Sequence, residues 1–208
     1  MLQNRVDPFG NIFRTSARGT LMGNRGVIHN DKKEIVRPFK LKAWIACRLS
    51  FKERSRVVMT PQRWTELFFL DEATAFAAGH RPCAECRRGA FNNFKLYWIQ
   101  ANPAYGFTIK TPIRLVDEVL HTERMDALQQ KKCFNENLSH LPDGSFVQWN
   151  GNAYLVKRAA LHLWTPFGYT EKLQLPANTV LSALTPKSVV NAYRAGYQPQ
   201  VQELPVSN

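Results

Sequence analysis

Four residues, Cys83-Ala-Glu-Cys86, constrain this chain more than any others. Two thiols at this spacing can reach one tetrahedral ion from a turn that enters a helix, and the helix N-terminus favours the thiolate form that metals bind. Two other readings fit the spacing: a redox pair, or two unrelated small core residues. The redox reading requires a strand before the pair in a βαβ setting, whereas EATAFAA, just upstream, reads as a helix. The metal reading leads, with zinc as the expected ion. It needs two more ligands, and the chain offers Cys47, Cys133, His29, His80, His121, His140 and His162.

The compartment agrees with that reading. The N-terminal MLQNRVDPFGNIFRTS has no continuous apolar segment of secretory type, so a cytoplasmic, reducing location is expected. There, four cysteines serve as ligands or free thiols rather than disulfides. No apolar run approaches the ~20 residues needed to span a bilayer, so no membrane partner is expected.

Charge supplies the second constraint. The formal charge of +12 is uneven: residues 1–63 hold 14 Lys+Arg against four Asp+Glu, a local excess of +10. A positive field concentrated in this way attracts polyanions, and phosphate backbones are the commonest such partner. The expected partner is nucleic acid, DNA before RNA. Arg14, Arg18, Arg25, Lys32, Lys33, Arg37, Arg48, Arg54 and Arg56 are the candidate phosphate contacts. Trp44 and Trp64 interleave with them and can stack on unpaired bases, although half-buried core is the more frequent role for such residues.

Hydrophobic residues make up 44% of the 208, enough for a sizeable core. The pattern reads as α+β: a small mixed zinc-containing module over 1–100, packed on a larger α+β region over 101–208, or one composite domain. Strands are expected at Val27-Ile28, and a hairpin over 41–51 and 55–59. Asp71 should cap a helix over EATAFAA closed by Gly79. A second helix is expected from Pro82-Cys83 to about Gln100, and a third from Ile113 to about Lys131. Beyond 134, FVQW and AYLVK flank an Asn-Gly-Asn hairpin turn. TVLSAL is a further strand, and a helix capped by Thr185 ends at Gly196.

Residues 72–88, EATAFAAGHRPCAECRR, resemble the second half of the Ada-type zinc domain. That domain stands at the N-terminus of bacterial methylphosphotriester DNA-repair regulators and is attached to some nucleases. Glu72, Ala73, Gly79, Arg81, Pro82, Cys83 and Cys86 fill its pattern, with His80 in an aromatic slot. The resemblance spans about residues 19–90. It implies two upstream ligands, which fall at Cys47 and His29, giving the set His29, Cys47, Cys83 and Cys86. With imidazole at position 29 in place of the family's methyl-accepting thiolate, direct methyl acceptance is not expected. Four protein ligands make the zinc structural; three leave a position for water and hydrolytic chemistry.

A second group lies downstream. Asp117, His121 and Arg124 fall at i, i+4 and i+7, one face of a helix, with Glu118 and Glu123 flanking them. An Asp orienting a His beside an Arg suits acid–base work on a phosphate ester. A solvated face with a local ion pair has the same appearance and is commoner. Three functions follow for test: a zinc protein that binds nucleic acid, a nuclease or repair hydrolase, and a zinc-stapled interaction scaffold.

Overall fold

The computed structural model describes residues 1–52 and 57–204. It is an α+β fold built from two six-stranded sheets. The first contains β1 (Arg5–Val6), β2 (Ile12–Phe13), β3 (Leu21–Asn24), β4 (Ile45–Arg48), β5 (Leu67–Phe69) and β6 (Arg81–Pro82), in the order β2-β1-β5-β3-β4-β6. The β1–β5 and β4–β6 pairs are parallel and the others antiparallel. The second contains β7 (Phe134–Asn137), β8 (Phe146–Trp149), β9 (Asn152–Lys157), β10 (Ala160–Thr165), β11 (Gly168–Leu173) and β12 (Val180–Ala183), in the order β11-β10-β9-β8-β12-β7, antiparallel throughout.

Four α-helices accompany the sheets: α1 (Glu72–Ala77), α2 (Arg88–Ala101), α3 (Ile113–Arg124) and α4 (Lys187–Arg194). Every residue of α1 is buried, because both sheets use it. Ala75 faces the core of the first sheet with Leu67 and Phe69, whereas Ala73 and Ala77 pack with Phe146, Leu155 and Tyr169 of the second. Phe76 joins Phe94, Trp98, Leu120 and Tyr193 of the other helices. Small alanines let three layers approach one short helix, and hydrophobic clusters therefore run across position 100.

Asp71 starts α1 as expected. Its carboxylate accepts from the Thr74 amide at 2.8 Å, from Tyr169 Oη at 2.7 Å and from the Gln202 amide at 2.9 Å. Gly79 (φ +88°) ends it, where a Cβ would stand 2.4 Å from Arg124 Cδ. The 146–157 hairpin also forms, with Asn150 and Gly151 both at positive φ, as a tight two-residue turn requires.

Several expectations are corrected. The early strand is Leu21–Asn24 rather than Val27-Ile28, because Gly26 (φ +96°) turns the chain between them. β4 pairs with β3 and β6, and residues 58–59 form a turn, so no 41–59 hairpin is present among the described residues. Positions 55 and 56 of that expected second strand lie outside them. α2 begins at Arg88, five residues after Cys83, since the intervening residues form a turn. α3 stops at Arg124. Thr185 does not cap α4; its hydroxyl accepts from the Phe146 amide at 2.9 Å.

Candidate metal centre

Three separate pieces of chain position the cysteines. Cys47 is the third residue of β4, held opposite Met22 of β3. The parallel pairing of β4 with β6 continues one residue past Pro82, where the Cys83 amide donates to the Ala46 carbonyl at 2.9 Å. This bond places Cys83 beside Cys47. The turn then closes with the Arg87 amide on the Cys83 carbonyl at 3.2 Å, which brings Cys86 back to the same point. All three Sγ atoms lie within 4.8 Å of one another. A tetrahedral ion with Zn–S bonds of about 2.3 Å separates its sulfurs by about 3.8 Å, so the three thiols can hold a metal ion.

The surroundings suit deprotonated sulfur. Cys47 and Cys86 are buried and Cys83 is half-buried, with Met22 and the partly buried Ile45, Phe51 and Phe68 packed about them. A hydrogen bond from the Cys47 thiol, aided by the Cys86 and Glu85 amides, pulls the Cys83 thiol down to about 5. The Glu85 amide stands 3.4 Å from its sulfur. That same contact with Cys83, together with burial, pushes Cys47 far up, and burial raises Cys86. The trio favours ionisation at Cys83, and a divalent cation would displace the protons that remain on the other two.

Among the described residues no other Cys, His, Asp or Glu joins this group. The structure does not bring His29 to it. The His29 ring has Nδ1 2.6 Å from Thr65 Oγ1 and Nε2 3.2 Å from the Thr60 carbonyl, so both nitrogens already have partners. His80 is a core residue: it is buried against Trp44 and Phe69, with ring centroids 5.2 and 4.5 Å away. Cys133 is exposed and apart.

The Asp117, His121 and Arg124 group does not assemble as an acid–base set. Asp117 is buried and takes both carboxylate bonds, at 2.7 Å each, from Arg81. His121 Nδ1 faces Arg124 Nη2 at 3.0 Å instead, and burial with the Arg124 charge lowers its pKa. Glu118 pairs with Lys42 at 2.5 Å, and Glu123 accepts from Ser188 Oγ at 2.6 Å. The Arg81–Asp117 pair was not legible beforehand, because Arg81 lies beside the metal turn and Asp117 on a distant helix; a buried arginine requiring a carboxylate was the only hint.

Of the candidate phosphate contacts, Arg14, Arg18, Lys32, Arg37 and Arg48 are exposed, and Lys33 is half-exposed with its ammonium on the Val58 carbonyl at 3.2 Å. Arg25 is enclosed, not superficial, at 2% exposure. Arg54 and Arg56 lie outside the described residues. Trp44 is core and Trp64 is exposed. No helix among the described residues is long and apolar enough to cross a membrane. Comparison with protein-family models, curated proteins and solved structures finds no match.

Proposed function

We propose that this is a zinc protein that binds nucleic acid, DNA before RNA, through the basic face of an Ada-like N-terminal module in which zinc ties β4 to the turn before α2. The convergence of the Cys47, Cys83 and Cys86 sulfurs carries this reading. Sulfur donors at this spacing select zinc over magnesium or calcium, which take oxygen. The charge supports the rest: the exposed Arg48 follows Cys47 in β4 and the exposed Arg88 follows the turn, so a metal that orders these segments also orders their cations, while Arg87 is held by Glu72. On this reading the ion's role is structural, tying two chain segments together, whatever fills the position that three protein ligands leave.

Binding of the zinc-loaded chain to duplex and single-stranded DNA across a salt series tests the idea. A contact set of five or six phosphates predicts a slope of log K against log salt near about −5 for duplex. A flat response, or no binding at low salt, sinks it. Loss of fold on chelation without any nucleic-acid affinity would instead favour the interaction scaffold.

A second reading has one observation in its favour: three protein ligands, rather than four, among the described residues. An open position on zinc lowers the pKa of a bound water and supports hydrolysis. Strand cleavage or base release that disappears in Cys47→Ser would support a nuclease or repair hydrolase. Unchanged cleavage in His121→Ala would detach that activity from the α3 residues.

A further inference from the structure

A cavity of about 480 Å³ opens on the side of the first sheet where the β1–β2 turn, the end of α1 and the chain after α3 meet. Its wall includes Gly10, Arg25, Trp44, Arg124 and Lys131. Three of these are cations, and among the described residues none of the three has a salt bridge. Arg25 and Arg124 are 2% and 1% exposed, and each guanidinium lies 4.0 Å from the Trp44 ring centroid.

Their partners are neutral. Arg25 donates to the Gly10 carbonyl at 3.0 Å and to His80 Nε2 at 3.3 Å, while its Nη2 has no partner among the described residues. Arg124 donates to the Gly79 and Lys42 carbonyls, at 2.8 and 2.5 Å, and its Nε is likewise unpartnered. The Lys131 ammonium donates to the Ala77 carbonyl. Asp7 acts on Arg25 and, after Cys133, on Lys131, but makes no salt bridge with either; Asp117 acts on Arg124 but is taken up by Arg81. Positive charge is therefore in excess around the two buried guanidiniums, an arrangement that is unfavourable without an anion. Burial pulls Arg25 and Arg124 down to about 9 and Lys131 to about 7, with Arg25 adding to the effect on the other two.

Gly10, at φ +91°, lies directly beside this group: a Cβ there would stand 3.6 Å from the unpartnered Arg25 Nη2. A carboxylate would neutralise one cation. A phosphate monoester brings nearly two charges and three strong acceptor oxygens, matching two guanidiniums and an ammonium. The volume exceeds that of one phosphate, and Phe9, Ile35 and Pro38 add apolar wall for whatever carries it.

We propose that this cavity binds a phosphate monoester, carried either by a small molecule of nucleotide size or by the 5′-phosphorylated end of a nucleic-acid strand. The site does not depend on the nucleic-acid reading above, since a free monoester satisfies the same groups.

Calorimetric titration of the metal-loaded full chain near neutral pH tests it, with four probes: adenosine 5′-monophosphate, adenosine, and one short single strand with and without a 5′-phosphate. Each phosphorylated probe that enters the cavity binds at least about tenfold more tightly than its unphosphorylated counterpart. Preference confined to the mononucleotide identifies a small-molecule source; preference shared by the strand identifies a strand end. Lys131→Gln and Arg25→Gln each remove that preference. Arg25→Gln disturbs two hydrogen bonds in the core, so Lys131→Gln, which gives up one, keeps the result readable if the former fails to fold. Indifference of both probe pairs to the phosphate overturns the proposal, as does a folded Lys131→Gln variant that retains the full preference.

Discussion

A single thiol and a single imidazole show how far residue chemistry reaches. Cys83 and Cys86 declare a shared task through their spacing, whereas Cys47 was reached only through the resemblance to the Ada-type domain, since by itself a cysteine in an apolar strand can be a small core residue. Only its place in β4, opposite Met22 and one residue from the Ala46–Pro82 pairing, delivers it to the other two. The same resemblance implied His29 as a ligand, but Thr65 and Thr60 occupy its ring nitrogens. Metal content of purified variants should follow this division. Cys47→Ser, Cys83→Ser and Cys86→Ser each lose the ion, while His29→Ala keeps it and forfeits about 1–2 kcal/mol of stability with its buried hydrogen bonds. Equal metal loss in His29→Ala would return that residue to the ligand set. X-ray absorption at the zinc edge should find three sulfurs and one lighter neighbour.

Among the elements, α1 was the most legible and the most consequential. Its cap, its alanines and its closing glycine all follow from local propensity, and each holds in the structure. Its burial on every side did not follow, because that depends on which surfaces arrive against it. Asp71 makes the difference measurable. A surface cap is worth about 1 kcal/mol, whereas this carboxylate also accepts from Tyr169 of β11 and from the Gln202 amide. Asp71→Ala strands those donors inside the protein, and the urea midpoint should report a loss of about 3 kcal/mol or more. Asp71→Asn, which keeps the shape and one acceptor oxygen, should lose visibly less. A cost near about 1 kcal/mol for the alanine variant would mean that the ties to the second sheet contribute little. Among the strands not expected, β7 and β11 carry the opposite lesson: Asn and Glu interrupt their apolar faces, and pairing with neighbours rather than propensity makes them strands.

At the scale of the whole molecule, charge behaves differently from its distribution along the chain. The excess of +10 in residues 1–63 is a fact of composition. That one of its members, Arg25, turns inward to meet Arg124 and Lys131 is not. Buried cations leave a mark on stability against pH. Lys131, facing Cys133, Arg25, Arg124 and Asp7, falls from 10.5 to about 7 on folding, chiefly through burial. Between those values the unfolded chain holds a proton that the folded chain has released, so stability rises with pH from about 7 towards 10.5; below 7 both states hold it and the full burden persists. Guanidinium midpoints of metal-loaded protein from about pH 6.5 to about 9.5 should climb, and Lys131→Gln should flatten the climb. An identical slope in the variant would show that Lys131 is not the group responsible. By itself the sequence determined the two-thiol turn, the helix ahead of it, the 146–157 hairpin, the α+β class and the basic N-terminal third, since each rests on spacing, propensity or composition over a few consecutive residues. Only the tertiary structure brought the sulfur of Cys47, which the Ada resemblance had named, to the other two, and only it decided the partners of Asp117 and the cluster of unpaired cations. Each of these joins residues that are neighbours solely because sheet pairing and helix packing bring distant segments together, and no local pattern encodes such a meeting.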